Sequence, residues 1–166
     1  VETFAGKTLR PEDFEEVKIE TEDFGAVIFH MGDLARGGMT ASQMSGGRKN
    51  RLTLEVYGTE ASVSWNQERP DELWIGRRNG PNQIMLKDPS SLQNQAASYA
   101  DLPGGHSEGY DDTFKQVFRR FYASIREPDG TVEYPQMIDG VRHMQLLRAE
   151  LESHRKRGWI DVPGIY

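Results

Sequence analysis

Along the first half of the chain, apolar and polar residues alternate with a period of two. Near the end the period becomes helical, which predicts strands followed by helices. Leu52, Leu54 and Val56 fall on one face of Arg51 to Tyr57, with Thr53, Glu55 and Tyr57 on the other. That is the pattern of a half-buried strand. Phe24 to Met31 is apolar on both faces, with Phe24, Ala26 and Ile28 on one and Val27, Phe29 and Met31 on the other. Gly32-Asp33 predicts a tight turn after it, and Arg36 to Met44 the returning strand. Further strands are predicted over Val17 to Thr21, Ser62 to Trp65, Glu72 to Arg77 and Gln83 to Lys87. Gly58-Thr59-Glu60, Gln67 to Asp71 and Gly80-Pro81-Asn82 turn the chain between the later ones, and such short connections make an antiparallel meander. Val1 to Phe4 reads as a short extended piece and Lys7 to Glu16 as a loop.

Asp88 to His106 carries no clear period, and loops this long inside a compact domain are usually functional or mobile. Two helices follow. Phe114, Val117, Phe118, Phe121, Tyr122 and Ile125 form one apolar stripe, ended by Pro128-Asp129-Gly130. Ile138, Val141, Met144, Leu147 and Leu151 form the second. Its end at Arg155-Lys156-Arg157-Gly158 places cations at the negative pole of the helix and glycine at the left-handed position. Trp159 to Val162 reads as a short strand or an extended tail.

These elements predict one α+β domain over residues 1–166: an open, mostly antiparallel sheet with two C-terminal amphipathic helices on one face. The other face is left for dimerisation. Val27, Phe29 and Met31 call for a cover, since burying an apolar side chain of that size contributes roughly 1.5–3 kcal/mol. A second copy of the same sheet is the simplest cover; the long loop of the same chain is the alternative.

Charge narrows the function classes. Lys and Arg number 20 against 26 Asp and Glu, a net charge of −6. This argues against nucleic acid or an anionic membrane as partner. No apolar run approaches the ~20 residues of a membrane helix. Without cysteine there are no disulfides or thiolate metal sites. The first residue is Val1 rather than Met, so a fragment or processed product is expected, with any targeting signal upstream.

No Gly-rich fingerprint for a dinucleotide, no phosphate-binding loop, no metal-ligand spacing and no nucleophile elbow is present. The four histidines are scattered. Among them His106 is the strongest candidate. It follows Gly104-Gly105 and precedes a helix start, where an imidazole can meet a substrate hydroxyl or carbonyl. It could equally cap the helix or shape the loop. Arg48, Lys49 and Asn50 make a compact donor cluster for hydroxyls, a carboxylate or a phosphate, or else an ordinary solvated turn. Tyr110 either stacks on a sugar or starts the buried face of the helix, with burial the better reading. Asp111 and Asp112 suit the positive pole of a helix and need no catalytic role. His30 reads as a strand or interface residue.

Three stretches taken together carry a family resemblance. They are Ser42-Gln43-Met44-Ser45-Gly46-Gly47-Arg48-Lys49-Asn50-Arg51-Leu52 with Glu55-Val56-Tyr57-Gly58, then Pro103 to Tyr110 leading into Phe114, then Leu151-Glu152-Ser153-His154-Arg155 ending near Trp159. The chain resembles the C-terminal domain of the glucose-fructose oxidoreductase / inositol dehydrogenase / MocA family, from Val1 to about Pro163. The resemblance implies a dihydrodipicolinate-reductase-like fold that shapes a substrate pocket and makes a homodimer or higher homo-oligomer. It also implies an N-terminal Rossmann domain ahead of Val1 that binds NAD or NADP, with no cofactor expected on this chain alone. The implied reaction is hydride transfer between that nicotinamide and a secondary alcohol or ketone of a sugar or cyclitol. The catalytic residues would lie outside these residues, so none is assigned here. By the same resemblance, the Arg48 to Asn50 loop and the Gly105-His106 turn match positions near the pocket. Gln136, where the family often has a small hydroxyl residue, and the Gly32-Asp33-Leu34 turn depart from its pattern.

Three readings stand at this point: a domain of a cytoplasmic, nicotinamide-dependent oxidoreductase; a stand-alone carbohydrate-binding or scaffold module; and a small hydrolase or isomerase using His106 with Glu108 or Asp112.

Overall fold

The structure, a computed structural model, describes residues 10, 15, 17–128 and 130–162. The extended piece expected over Val1 to Phe4 and most of the expected Lys7 to Glu16 loop lie outside the described residues. The chain forms two compact units, one ending at Gly46 and the other beginning at Gly47. Among the described residues the strands pair antiparallel, as the short turns predict, in one two-stranded and one four-stranded sheet.

The first unit is a hairpin of β1 (Phe24–Met31) and β2 (Ala35–Ser42), paired from Phe24 opposite Ser42 to Met31 opposite Ala35. Gly32 takes φ 58° in the turn, a conformation open to glycine without a Cβ penalty. Phe29 stands opposite Gly37, and a Cβ on Gly37 would lie 2.3 Å from the Phe29 ring. The ring fills the space the glycine leaves, so Phe29 is half-buried, as is Val27. The more open face is the opposite one, with Phe24 58% and Ile28 73% exposed. Of the three side chains expected to call for a cover, Val27 and Phe29 are half-buried within the hairpin, while Met31 is 58% exposed. Val17 to Thr21, a predicted strand, is irregular, with Val17 and Ile19 exposed. Alternation favours extended backbone, but a strand also needs a neighbour to bond.

The second unit holds a four-stranded meander: β3 (Thr53–Tyr57), β4 (Ala61–Asn66), β5 (Glu72–Arg77) and β6 (Gln83–Leu86). The register places Leu54 opposite Trp65, Val56 opposite Val63, Val63 opposite Ile75, and Trp65 opposite Leu73. These side chains therefore share one apolar face. On the other face Glu55 accepts from the Tyr57 hydroxyl at 2.5 Å and the Ser64 hydroxyl at 3.0 Å. Both bonds hold the Glu55 carboxyl below its ordinary value. Further along that face stand Trp74, Ile84 and Leu86. The Trp74 ring lies over buried Gly76, where a Cβ would come within 2.2 Å of it.

A one-turn helix, α1 (Asn94–Ala97), breaks the stretch expected to be irregular. It is followed by α2 (Tyr110–Arg126) and α3 (Met137–Lys156), close to the predicted stripes. At the start of α2 the Gly109 N–H donates to Asp112 at 2.8 Å, and at the start of α3 the Gln136 N–H donates to Asp139 at 2.9 Å. Each carboxylate reaches back from the third helical position and satisfies a donor the helix cannot. Gln136 thus caps α3 without its own side chain. At the other end Arg157, not Gly158, takes the left-handed conformation, with φ 52°. The Gly158 N–H then reaches Ser153 O at 3.3 Å, which closes the helix one residue earlier than the glycine predicts. The apolar stripes of both helices stay open: Phe118 is 60% and Leu147 50% exposed. Among the described residues, Gly76, Gln116 and Ala149 are the ones buried as whole residues.

Candidate functional site

His106 closes a four-residue turn in which its N–H donates to Pro103 O at 3.2 Å. Gly105, third in that turn, has φ 82°, which glycine adopts freely and other residues rarely do. Gly104 faces the Asp88 carboxylate, and a Cβ there would come within 2.7 Å of Asp88 Oδ2. Gly105 is therefore favoured by its backbone angle, and a side chain at Gly104 would oblige the Asp88 carboxylate to shift. The His106 imidazole is exposed, with Nδ1 3.4 Å from Gly104 O.

Beneath the turn lies a polar knot that the sequence reading did not single out. Lys87 directly follows β6, and its N–H donates to Asp71 O at 2.8 Å. Its ammonium donates to His106 O at 2.9 Å, to Leu102 O at 3.1 Å and to Glu108 Oε2 at 2.6 Å. Glu108 is buried, with 7% of its side chain exposed, while Lys87 keeps 15%. The two Glu108 oxygens also accept the N–H groups of Asp101, at 2.9 Å, and Leu102, at 3.2 Å. Burial pushes the Glu108 carboxyl up, but Lys87 and those two N–H groups outweigh it and hold it below its ordinary value.

A second tier ties this knot to α2. Arg119 grips Asp101 through two bonds of 2.8 and 3.0 Å, and Lys115 bridges Asp101 at 2.9 Å and Asp112 at 2.6 Å. Arg119 first, then Lys115, hold the Asp101 carboxyl down at about 2. Asp112 and Asp101 in turn raise the Lys115 ammonium above its ordinary value. Arg120 lies 4.2 Å from the Tyr99 ring centre and pairs with Glu133 at 3.0 Å. The loop between β6 and α2 is thus fastened at Ser98, Tyr99 and Asp101 by side chains of α2.

The other predicted residues are placed elsewhere. Arg48 pairs with Glu68 in the β4–β5 turn at 3.1 Å, and Lys49 and Asn50 are exposed. Among the described residues no hydrogen bond or ion pair joins the Arg48 to Asn50 loop to the His106 turn. Tyr110, expected to begin a buried face, is 63% exposed and meets Phe114 edge-on at 5.2 Å. As the first helical residue it stands where α2 has no cover. Glu108 and Asp112 are committed to Lys87, Lys115 and backbone N–H groups, so neither pairs with His106 as a hydrolase or isomerase would require. A shallow cleft of about 260 Å³ lies at the β3–β4 and β5–β6 turns, lined by Thr59, Trp74, Arg77 and Asn82 among others. None of the predicted residues lines it. Among the described residues no group of three or more His, Asp or Glu is arranged to hold a metal, and no helix is long and apolar enough to cross a membrane.

Comparison with known proteins decides the family. Residues 1–162 match the oxidoreductase family C-terminal alpha/beta domain, the Gfo/Idh/MocA group. The chain belongs to this family. It is 26% identical over 168 residues to the levoglucosan dehydrogenase of Pseudarthrobacter phenanthrenivorans, covering 95% of this chain and 40% of that protein. A solved oxidoreductase from Sinorhizobium meliloti matches with a TM-score of 0.74 and 29% identity, over 83% of this chain and 40% of its own. A levoglucosan dehydrogenase solved with NADH and levoglucosan matches with a TM-score of 0.78 and 26% identity, over 88% of this chain and 40% of its own. The chain therefore spans well under half the length of these relatives. The α+β fold with open antiparallel sheets is the fold of the family's C-terminal domain.

The relative solved with NADH prompts a test of whether these residues suit a dinucleotide. Among the described residues the starts of the two long helices do not suit one. A helix start favours a pyrophosphate through its N–H groups and positive pole. At α2 and α3 the Asp112 and Asp139 carboxylates already stand there, accepting the Gly109 and Gln136 N–H groups, and their charge repels phosphate. The turn leading into α2 adds the anionic Glu108.

Proposed function

We infer that this chain is the substrate-binding and oligomerisation domain of an NAD(P)-dependent oxidoreductase acting on the secondary alcohol or ketone of a sugar or cyclitol. The observation that carries the reading is the His106 turn: an exposed imidazole held by a braced glycine turn in a chain of this family. Fixed donors and acceptors orient a polyol so that one carbon faces the hydride path. His106 would supply one such group, and Arg48, Lys49, Asn50 and Tyr110 would line the same pocket. Arg48 would then exchange Glu68 for substrate, at little cost for an exposed pair. The nicotinamide would be held by another part of the protein, and the protein would act in the cytoplasm. The oligomer would form through an open sheet face, where Trp74, Ile84 and Leu86 stand together.

Levoglucosan binding to the chain tests the site. Affinity is read from shifts of assigned histidine ring signals in wild type and in His106→Ala. Loss of affinity in the variant supports the reading; a titration unchanged by the substitution, or no binding by the wild type, rejects it. For the oligomer, Ile84→Glu should reduce the mass seen by light scattering to that of one chain. An unchanged mass rejects this face.

A further inference from the structure

We propose that Lys87 and Glu108 are positioning residues, and that their buried ion pair holds the turn carrying His106 in the shape that binds substrate. The proposal rests on His106 being a substrate contact, as inferred above. Its physical basis is where the pair takes hold. Glu108 accepts the N–H groups of Asp101 and Leu102, just before Pro103-Gly104-Gly105. Lys87 donates to Leu102 O on that same side and to His106 O just after it. The third ammonium proton goes to Glu108, so all three donors of the lysine are used. A segment with two adjacent glycines is the most costly kind to order. Here both of its ends are pinned to one charged pair that is itself set on the sheet through the Lys87–Asp71 backbone bond.

Neither side chain is offered to solvent as a ligand contact would be: Lys87 keeps 15% and Glu108 7% of its surface. The imidazole above them is free to meet a ligand. A buried charge pair is a poor source of net stability compared with apolar packing, so its placement under this one turn calls for a use. Holding the turn is that use.

The test compares wild type, Glu108→Gln and Lys87→Met, each alone and combined with His106→Ala. Circular dichroism checks folding, and the two positions give independent chances of a folded variant. The readouts are amide exchange at Asp101 and Leu102, the His106 ring signal and affinity for levoglucosan. We expect exchange at least about tenfold faster, the scale of a lost hydrogen bond to a charged group. The ring signal should move and affinity should fall, with no further fall when His106→Ala is added. Two results would overturn the proposal. One is unchanged amide exchange and ring signal in folded variants. The other is a loss of affinity that simply adds to that of His106→Ala, since a pair acting through His106 has nothing left to disturb once it is gone. If wild type binds no sugar, the reading of the site fails, while the exchange and ring signals still decide whether the pair holds the turn.

Discussion

The polar knot under the His106 turn and the apolar surfaces of the sheet and helices are finished to different degrees. In the knot, a glutamate with 7% of its side chain exposed meets a lysine ammonium and two backbone N–H groups, all within hydrogen-bonding distance. On the surfaces, Ile28, Phe118 and Leu147 remain half exposed or more. Hydrogen bonds are short and directional, so one loop and one helix end can satisfy them among themselves. Apolar burial is proportional to area and needs a second broad surface. The site geometry is therefore local to the second unit, whereas the apolar faces stay open.

The sharpest way to break this comparison is to unmake the knot. Glu108→Ala leaves the Lys87 ammonium buried without its carboxylate, and should cost about 3 kcal/mol in urea unfolding. A cost near zero would mean that the knot is ornamental. Acid should act in the same direction. The Glu108 and Asp101 carboxyls both sit below their ordinary values, Asp101 at about 2, so they favour the fold above the carboxylate range. That contribution should fade as pH drops from about 4 towards 2, and Asp101→Asn should flatten the decline in urea midpoint.

A smaller effect comes from a tightly packed spot on the four-stranded sheet. Gly76→Ala forces a Cβ against the Trp74 ring and should destabilise by about 1–2 kcal/mol, with a shift in tryptophan fluorescence. Smaller again is Arg157→Gly. Relieving a left-handed arginine should raise the melting temperature by about 2 °C, the equivalent of roughly 0.5–1 kcal/mol. Least of all, Ile28→Lys on the open face of the hairpin should change unfolding free energy by no more than about 0.5 kcal/mol. A cost of several kcal/mol there would place Ile28 in a core and erase the contrast.

Legibility in the sequence followed the range of each interaction. β1 and β5 have the bounds that alternation predicts, and α2 and α3 follow their stripes. The Gly105 turn was visible because paired glycines before a helix have few other uses. Val17 to Thr21 failed as a strand because alternation says nothing about a partner. The Lys87–Glu108 pair was hidden because its members are 21 residues apart: Lys87 reads by itself as an ordinary surface charge, and Glu108 as a partner of the nearby His106. A lysine ending a strand and a glutamate just ahead of a helix, on either side of a glycine turn, was the one available hint.

By itself, the sequence determined the six paired strands, the two long helices, the antiparallel order, the glycine turn and the family motifs, because these depend on neighbours a few residues away. Tertiary structure alone decided that the strands divide into two sheets, that Arg157 rather than Gly158 ends α3, and that Arg48 turns to Glu68. It also decided that Lys87 and Glu108 meet beneath His106. Each of these depends on distance in space and on which groups lose their water, and neither quantity is written in the spacing of residues along a chain.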